Sequence, residues 1–167
     1  MNEIPGMPPA RARPRPFSSA AREGQYLVFT LDPVQCGVEI CRVRDIVGIL
    51  PVTPQPGVPS FVKGYITHGK QIMPLIDLHA CFALPPHEET EHSCIIVVEA
   101  PGREPISTLG LLVDEVHEVL QIPKEQMQSP VAAHAPIPLE FIYARAQVGN
   151  TMLLLLDIER VLESAST

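Results

Sequence analysis

Apolar residues in this sequence come in short runs, each closed by turn residues or a polar cluster. That punctuation leaves little room for anything but short strands joined by frequent turns. In Gln25–Leu31, Leu27, Phe29 and Leu31 alternate with Tyr26, Val28 and Thr30, the period of a strand. Asp32-Pro33 predicts a turn, with Cys36–Ile40 returning as a second strand. Val43, Ile46, Val47 and Leu50 then fall at i, i+3, i+4 and i+7, which predicts a short helix. The stretch PVTPQPGVPS must follow as extended loop, because each proline removes a backbone donor.

Further strands are expected over Phe61–His68 and Ile72–Leu78, with a turn at Gly69-Lys70. Residues 85–92 (PPHEETEH) read as a connection, and Cys94–Glu99, with five apolar residues in six, as a fully buried strand. Thr108–Val113 and Val116–Ile122 follow as strands, then a proline-containing connection over 129–138. Phe141–Val148 alternates cleanly, Thr151–Leu156 is the last strand, and Asp157 is placed to cap a closing helix with Ile158, Val161 and Leu162 inward. The sum is a mostly β chain suited to small barrels, in which closure removes exposed sheet edges.

Composition narrows the function. The chain has 12 basic and 19 acidic side chains, a net charge of −7, so a phosphate backbone is a poor partner. Residues 1–22 carry four arginines against one glutamate, which leaves −10 for the remainder. This segment, rich in Pro, Arg, Ala and Ser, is expected to be a flexible basic tail, with structure confined to 23–167. Cys36, Cys41, Cys81 and Cys94 form no CxxC pair and are expected to be reduced, core-packing thiols. No secretory leader and no window of about 20 apolar residues is present, so a cytoplasmic chain is expected.

Catalytic patterns are sparse. The sequence has no G-x-x-x-x-G-K-[ST], no G-x-G-x-x-G and no G-x-S-x-G. Asp114 and Glu115 are adjacent, so on a strand they point to opposite faces. His117, among apolar residues, reads as a half-buried strand position. The nearest approach to a metal site is His87-Glu88-Glu89-Thr90-Glu91-His92, where a metal-dependent enzyme could be built. Zinc helices need histidines at i and i+4, whereas these stand at i and i+5 and diverge, which favours a solvated loop. A chain with a good core and no catalytic constellation is expected to bind rather than transform.

Five segments in order resemble the CheW family: QYLVFTLDPVQCGVEI, CRVRDIVGI, PSFVKGYI followed by QIMPLIDL, GLLVDEVHEVLQIPKEQM, and MLLLLDIERVL. They span about residues 25–163, and the spacing of IxPLIDL, GLLVDEVxEVL and LLLDIExVL is specific. The resemblance implies two small five-stranded β-barrels packed side by side, with a few short helices. It implies a non-enzymatic adaptor at the inner face of the membrane, reached only through receptor arrays. Its partners would be the cytoplasmic tip of methyl-accepting chemoreceptors and the regulatory domain of a CheA-type histidine kinase, with no cofactor, metal or nucleic acid. A variant reading is a regulatory or competing adaptor of an alternative chemosensory or pilus pathway, binding the kinase without coupling receptors.

A receptor tip is a helical hairpin, and its partner needs an apolar groove. Val43, Ile46 and Val47 match the family segment that lines such a groove, with Asp45 at its acidic position. On the residues alone, Val43 and Ile46 would more readily pack a core. Lys63 and Gly64 match a Lys-Gly pair of the family, although Lys63 also reads as an ordinary exposed strand charge. The departure is at the next turn. The family reads G-x-[IV]-N-L-R-G-x-I-x-P, with the Arg making a central polar contact, and this chain has Gly64 to Pro74 with His68, Gly69 and Lys70 across the turn. Gly69 replaces the Arg; Lys70 offers a point charge but no planar fork. Losing a desolvated contact of that kind costs about 1–3 kcal/mol, five- to over a hundredfold in affinity.

Overall fold

The computed structural model describes residues 24–100, 107–130 and 136–165; the basic tail expected over 1–22 lies outside them. Eleven strands run in chain order as β1 (Gly24–Leu31), β2 (Val34–Glu39), β3 (Val43–Val47), β4 (Val62–His68), β5 (Gln71–Asp77), β6 (Cys94–Ala100), β7 (Ser107–Val113), β8 (Glu115–Ile122), β9 (Met127–Gln128), β10 (Ile142–Val148) and β11 (Thr151–Leu156). Two helices, α1 (Leu78–Cys81) and α2 (Ile158–Ala165), follow β5 and β11.

The strands form two sheets. One has the order β8-β1-β2-β11-β10-β9 and the other β3-β6-β7-β5-β4. The strands start in the first sheet with β1 and β2, cross to the second for β3–β7, and return for β8–β11. The return places β11 parallel to β2, with Leu154 opposite Cys36, and β8 antiparallel to β1. The second sheet has the five strands expected; the first has six, because two-residue β9 adds to the edge of β10.

Burial explains why the central strands are apolar on both faces. Leu27, Phe29 and Leu31 of β1 join Ile76, Ile96, Val98 and Leu111 of the second sheet in one core between the sheets. The opposite face of β1 presents Tyr26 and Val28 to a second cluster with Ala144, Ala146, Leu153 and Leu155. A third cluster, Ile66, Met73, Leu75, Ile95 and Val97, covers the other face of the second sheet. Each sheet therefore wraps a core of its own and shares a third, as small barrels packed together require.

The helix expected over 43–50 is not formed. Val43–Val47 is a strand, paired with β6 from Val43 opposite Val98 to Val47 opposite Ile95. β-Branched side chains suit that edge better than a helix, and the neighbour in β6 decides the matter. A register shift between Val43 and Asp45 turns Val43 towards the shared core and Val47 towards the third cluster. Leu78, expected at the end of β5, starts α1 instead, because the Asp77 carboxylate accepts the backbone N–H of His79 and Ala80. Asp157 caps α2 as expected, accepting from the Arg160 backbone N–H at 3.4 Å, with Ile158, Val161 and Leu162 buried.

Candidate partner-binding face

β3 and β4 are the two edges of the five-stranded sheet, and a side-chain contact joins them. Asp45 on β3 and His68 at the end of β4 meet across the seam, Oδ2 to Nε2 at 2.9 Å. The Asp45 Oδ1 atom accepts the Ile46 backbone N–H at 2.8 Å. Further along, Thr53 exchanges backbone hydrogen bonds with Tyr65 at 2.9 and 2.8 Å, laying the proline-rich loop along β4.

The Ile46 N–H first, and the His68 ring second, hold the Asp45 carboxyl below its ordinary range. A folded value below the unfolded one means the contact favours the fold above the usual carboxylate range and is lost as pH falls through the lowered value. A carboxyl-detected NMR titration should therefore give Asp45 a midpoint below the 3.8 of an unperturbed aspartate, and a midpoint at or above it would dissolve the seam contact.

Apolar side chains lie exposed on both sides of this seam. Ile46, next to Asp45, is 42 % exposed, and Ile72, opposite Thr67 beside His68, is 72 % exposed. Ile49 adds a third exposed isoleucine. Three exposed isoleucines beside a polar seam make this the candidate docking face.

The other residues singled out from the sequence divide. Val43 and Val47 are half-buried and pack on the cores, so they shape the face from beneath. Gly64 is buried at φ +147°, where a Cβ would stand 2.3 Å from the Thr53 carbonyl oxygen, so it serves the loop contact. Lys63 is exposed and lines a separate cleft with His79 and His87.

His68 faces Gln71 across a two-residue loop, with Gly69 at φ +62° and Lys70 at negative φ, the type II′ pattern that wants glycine first. Open space surrounds the Gly69 Cβ position, so the constraint is backbone and not packing. Gly69→Arg should then lower stability by about 1–3 kcal/mol, read as a shifted urea midpoint. An unshifted midpoint would make the turn tolerant and the missing guanidinium a simple exchange.

The separate cleft lies where the chain crosses between sheets. His79 is buried on α1, its Nδ1 2.9 Å from the Pro85 carbonyl oxygen and its Nε2 2.9 Å from Asp114 Oδ2. His87 stacks on it, ring centroids 5.4 Å apart, with Nδ1 3.3 Å from Asp114 Oδ1. Asp114, between β7 and β8, donates its N–H to Thr30 and accepts the Asp32 N–H at 2.7 Å. His92 turns away to Glu91, so the two histidines of the HEETEH segment do diverge. What sequence spacing missed is that His87 finds partners remote in the chain.

His117 is exposed, not half-buried, and its Nε2 meets the Thr30 hydroxyl at 2.6 Å. The cysteines are also less uniform than expected. Cys36 is fully buried and burial pushes its thiol far up; Cys81 is pushed up to about 12, chiefly by burial, and Cys94 is raised for the same reason. Cys41 is exposed, because it stands on the turn that carries the chain out of β2. Maleimide at neutral pH should label Cys41 first and leave Cys36 unmodified in native protein, as read by peptide mass spectrometry. Early labelling of Cys36 would contradict this packing.

Residues 25–166 match the family model of the CheW-like domain. The chain is 31 % identical over 140 residues to the chemotaxis protein CheW of Klebsiella aerogenes, covering 84 % of this chain and 82 % of that one. It is 29 % identical over 157 residues to the chemotaxis protein CheW of Treponema pallidum, covering 89 % and 88 %. Among solved structures, it resembles the scaffolding protein TtCheW of Thermoanaerobacter tengcongensis with a TM-score of 0.73 and 29 % identity, over 81 % of this chain and 85 % of that one.

Proposed function

Because the chain belongs to the CheW-like domain family, we propose that it is a non-enzymatic chemotaxis adaptor whose β3–β4 seam docks a chemoreceptor tip. The observation that carries the adaptor role is the extent of the match, which runs from β1 to α2 through both sheets. Its second partner is the regulatory domain of a CheA-type histidine kinase, so that receptor and kinase are held together. Asp45, Ile46, His68 and Ile72 form the docking surface: two isoleucines offer apolar area to a helical hairpin, and the polar pair between them fixes its register. Lys70, exposed at the hairpin tip, supplies the positive charge that the family pattern takes from an arginine one position earlier. No helix among the described residues is long and apolar enough to cross a membrane. In this reading, contact with the membrane comes through the receptor.

A second reading is favoured by one observation, the glycine at position 69. An adaptor lacking the guanidinium could bind the kinase yet fail to couple receptors, and so compete with a coupling partner. Reconstitution of receptor, kinase and this protein separates the two. Kinase autophosphorylation that rises only with all three present supports coupling. Kinase binding without stimulation supports the competing role, and binding to neither partner removes both.

A further inference from the structure

We propose that His79, His87 and Asp114 form a binding site for a divalent transition-metal ion such as Zn²⁺, at the crossing between the two sheets. Their ligand atoms all lie within 4.8 Å of one another. Tetrahedral ligands about 2.0–2.1 Å from zinc stand roughly 3.3 Å apart. The His87 Nδ1 to Asp114 Oδ1 separation is 3.3 Å and the His79 Nε2 to Asp114 Oδ2 separation is 2.9 Å, so small adjustments admit an ion between the three groups.

The hydrogen bonding around His79 points the same way. A carbonyl oxygen and a carboxylate can only accept, yet the two ring nitrogens of His79 face one of each, Pro85 O and Asp114 Oδ2. A neutral imidazole has one N–H to give. If Nδ1–H goes to the Pro85 carbonyl, Nε2 presents a lone pair towards a carboxylate oxygen, and a cation between them satisfies both. That arrangement, a ligating nitrogen whose ring partner donates to a backbone carbonyl, is how metal-bound histidines are oriented.

The surroundings suit an ion. Asp77, Glu88 and Glu89 line the cleft with Lys63 at its edge, so carboxylates are at hand for a fourth position that water could equally fill. His79 is held rigid by burial and by the Asp77 cap on α1, and Asp114 is fixed from the first sheet by the Thr30 carbonyl and the Asp32 N–H. His87 is the adjustable ligand, on a loop whose side chain keeps 28 % exposure. Two nitrogens and one carboxylate favour zinc, nickel or copper over calcium or magnesium. A bound ion would tie α1, the 85–92 loop and the β7–β8 corner into one unit.

The test is calorimetry of the untagged full-length protein with zinc chloride, beside thermal melts with and without the metal. One ion per chain at micromolar affinity or tighter is expected, with a melting midpoint raised by about 5–10 °C at a hundredfold excess over Kd. His87→Ala should weaken binding at least tenfold while the apo melt stays near wild type. His79→Gln should do the same, and because His79 is buried, His87→Ala carries the decision if that variant misfolds. His92→Ala, outside the cluster, should bind as wild type. Absence of stoichiometric binding would overturn the site. Binding untouched by His87→Ala, or lost equally in His92→Ala, would overturn it too.

Discussion

Replacing Gly64 with valine is expected to remove about 3–5 kcal/mol of stability, a large share of the 5–15 kcal/mol typical of a domain. Two costs combine. The residue sits at φ +147°, a region that side chains rarely adopt, and its Cβ would stand 2.3 Å from a backbone oxygen of Thr53 and 2.8 Å from Val52 Cγ1. A backbone atom cannot rotate aside as a side chain can. Relief therefore requires lifting the proline-rich loop, which breaks both hydrogen bonds between Thr53 and Tyr65 and uncovers the third core, where Val52 packs. Gly149→Asn is the internal control: φ is +61° there, space is open, and asparagine tolerates that region, so a loss under about 1 kcal/mol is expected. Urea unfolding of both variants measures the difference. Equal small losses would mean the loop is not held on β4.

The second large effect falls on binding. Ile46→Asp should weaken a receptor-tip complex by about ten- to a hundredfold, with a melting midpoint close to wild type. Fully burying an isoleucine is worth about 1.5–3 kcal/mol, so covering the exposed part of Ile46 is worth about 1 kcal/mol, and an aspartate in the same apolar contact must also shed water from its charge. The side chain is 42 % exposed in the free protein and belongs to none of the three core clusters, so the fold loses little. Val43→Asp makes the contrast, since Val43 packs on the shared core and its replacement should weaken binding only by unfolding the protein. Undiminished affinity in soluble Ile46→Asp would move the docking surface away from the seam.

Most strands were legible because their two faces meet different neighbours within the same short run. β10 alternates in the sequence and in its burial, and β6 is apolar from Cys94 to Val98 because both its faces are covered there. β3 misled for a definite reason. Its spacing of Val43, Ile46 and Val47 fits one face of a helix, but the register shift beside Asp45 breaks strand alternation at that very point. Only β6, remote in sequence, shows which reading holds. The seam was half legible: Asp45 and His68 each drew notice from the sequence, but nothing local says they touch. The cleft was less so, because His79, His87 and Asp114 come from a short helix, a loop and a strand crossing. No spacing rule joins them.

The path of the chain also bears on how the protein is made. β1 and β2 emerge first from the ribosome, but their lasting neighbours, β8 and β11, are encoded after the whole of the other sheet. The intervening sheet is continuous in sequence from β3 to β7 and can zip up while synthesis continues. The opening hairpin meanwhile waits with both outer edges unpaired, a window in which chaperones or stray strands can reach it. Premature termination ahead of Thr151 would leave that wait without an end, so even a late stop codon should yield protein destined for degradation.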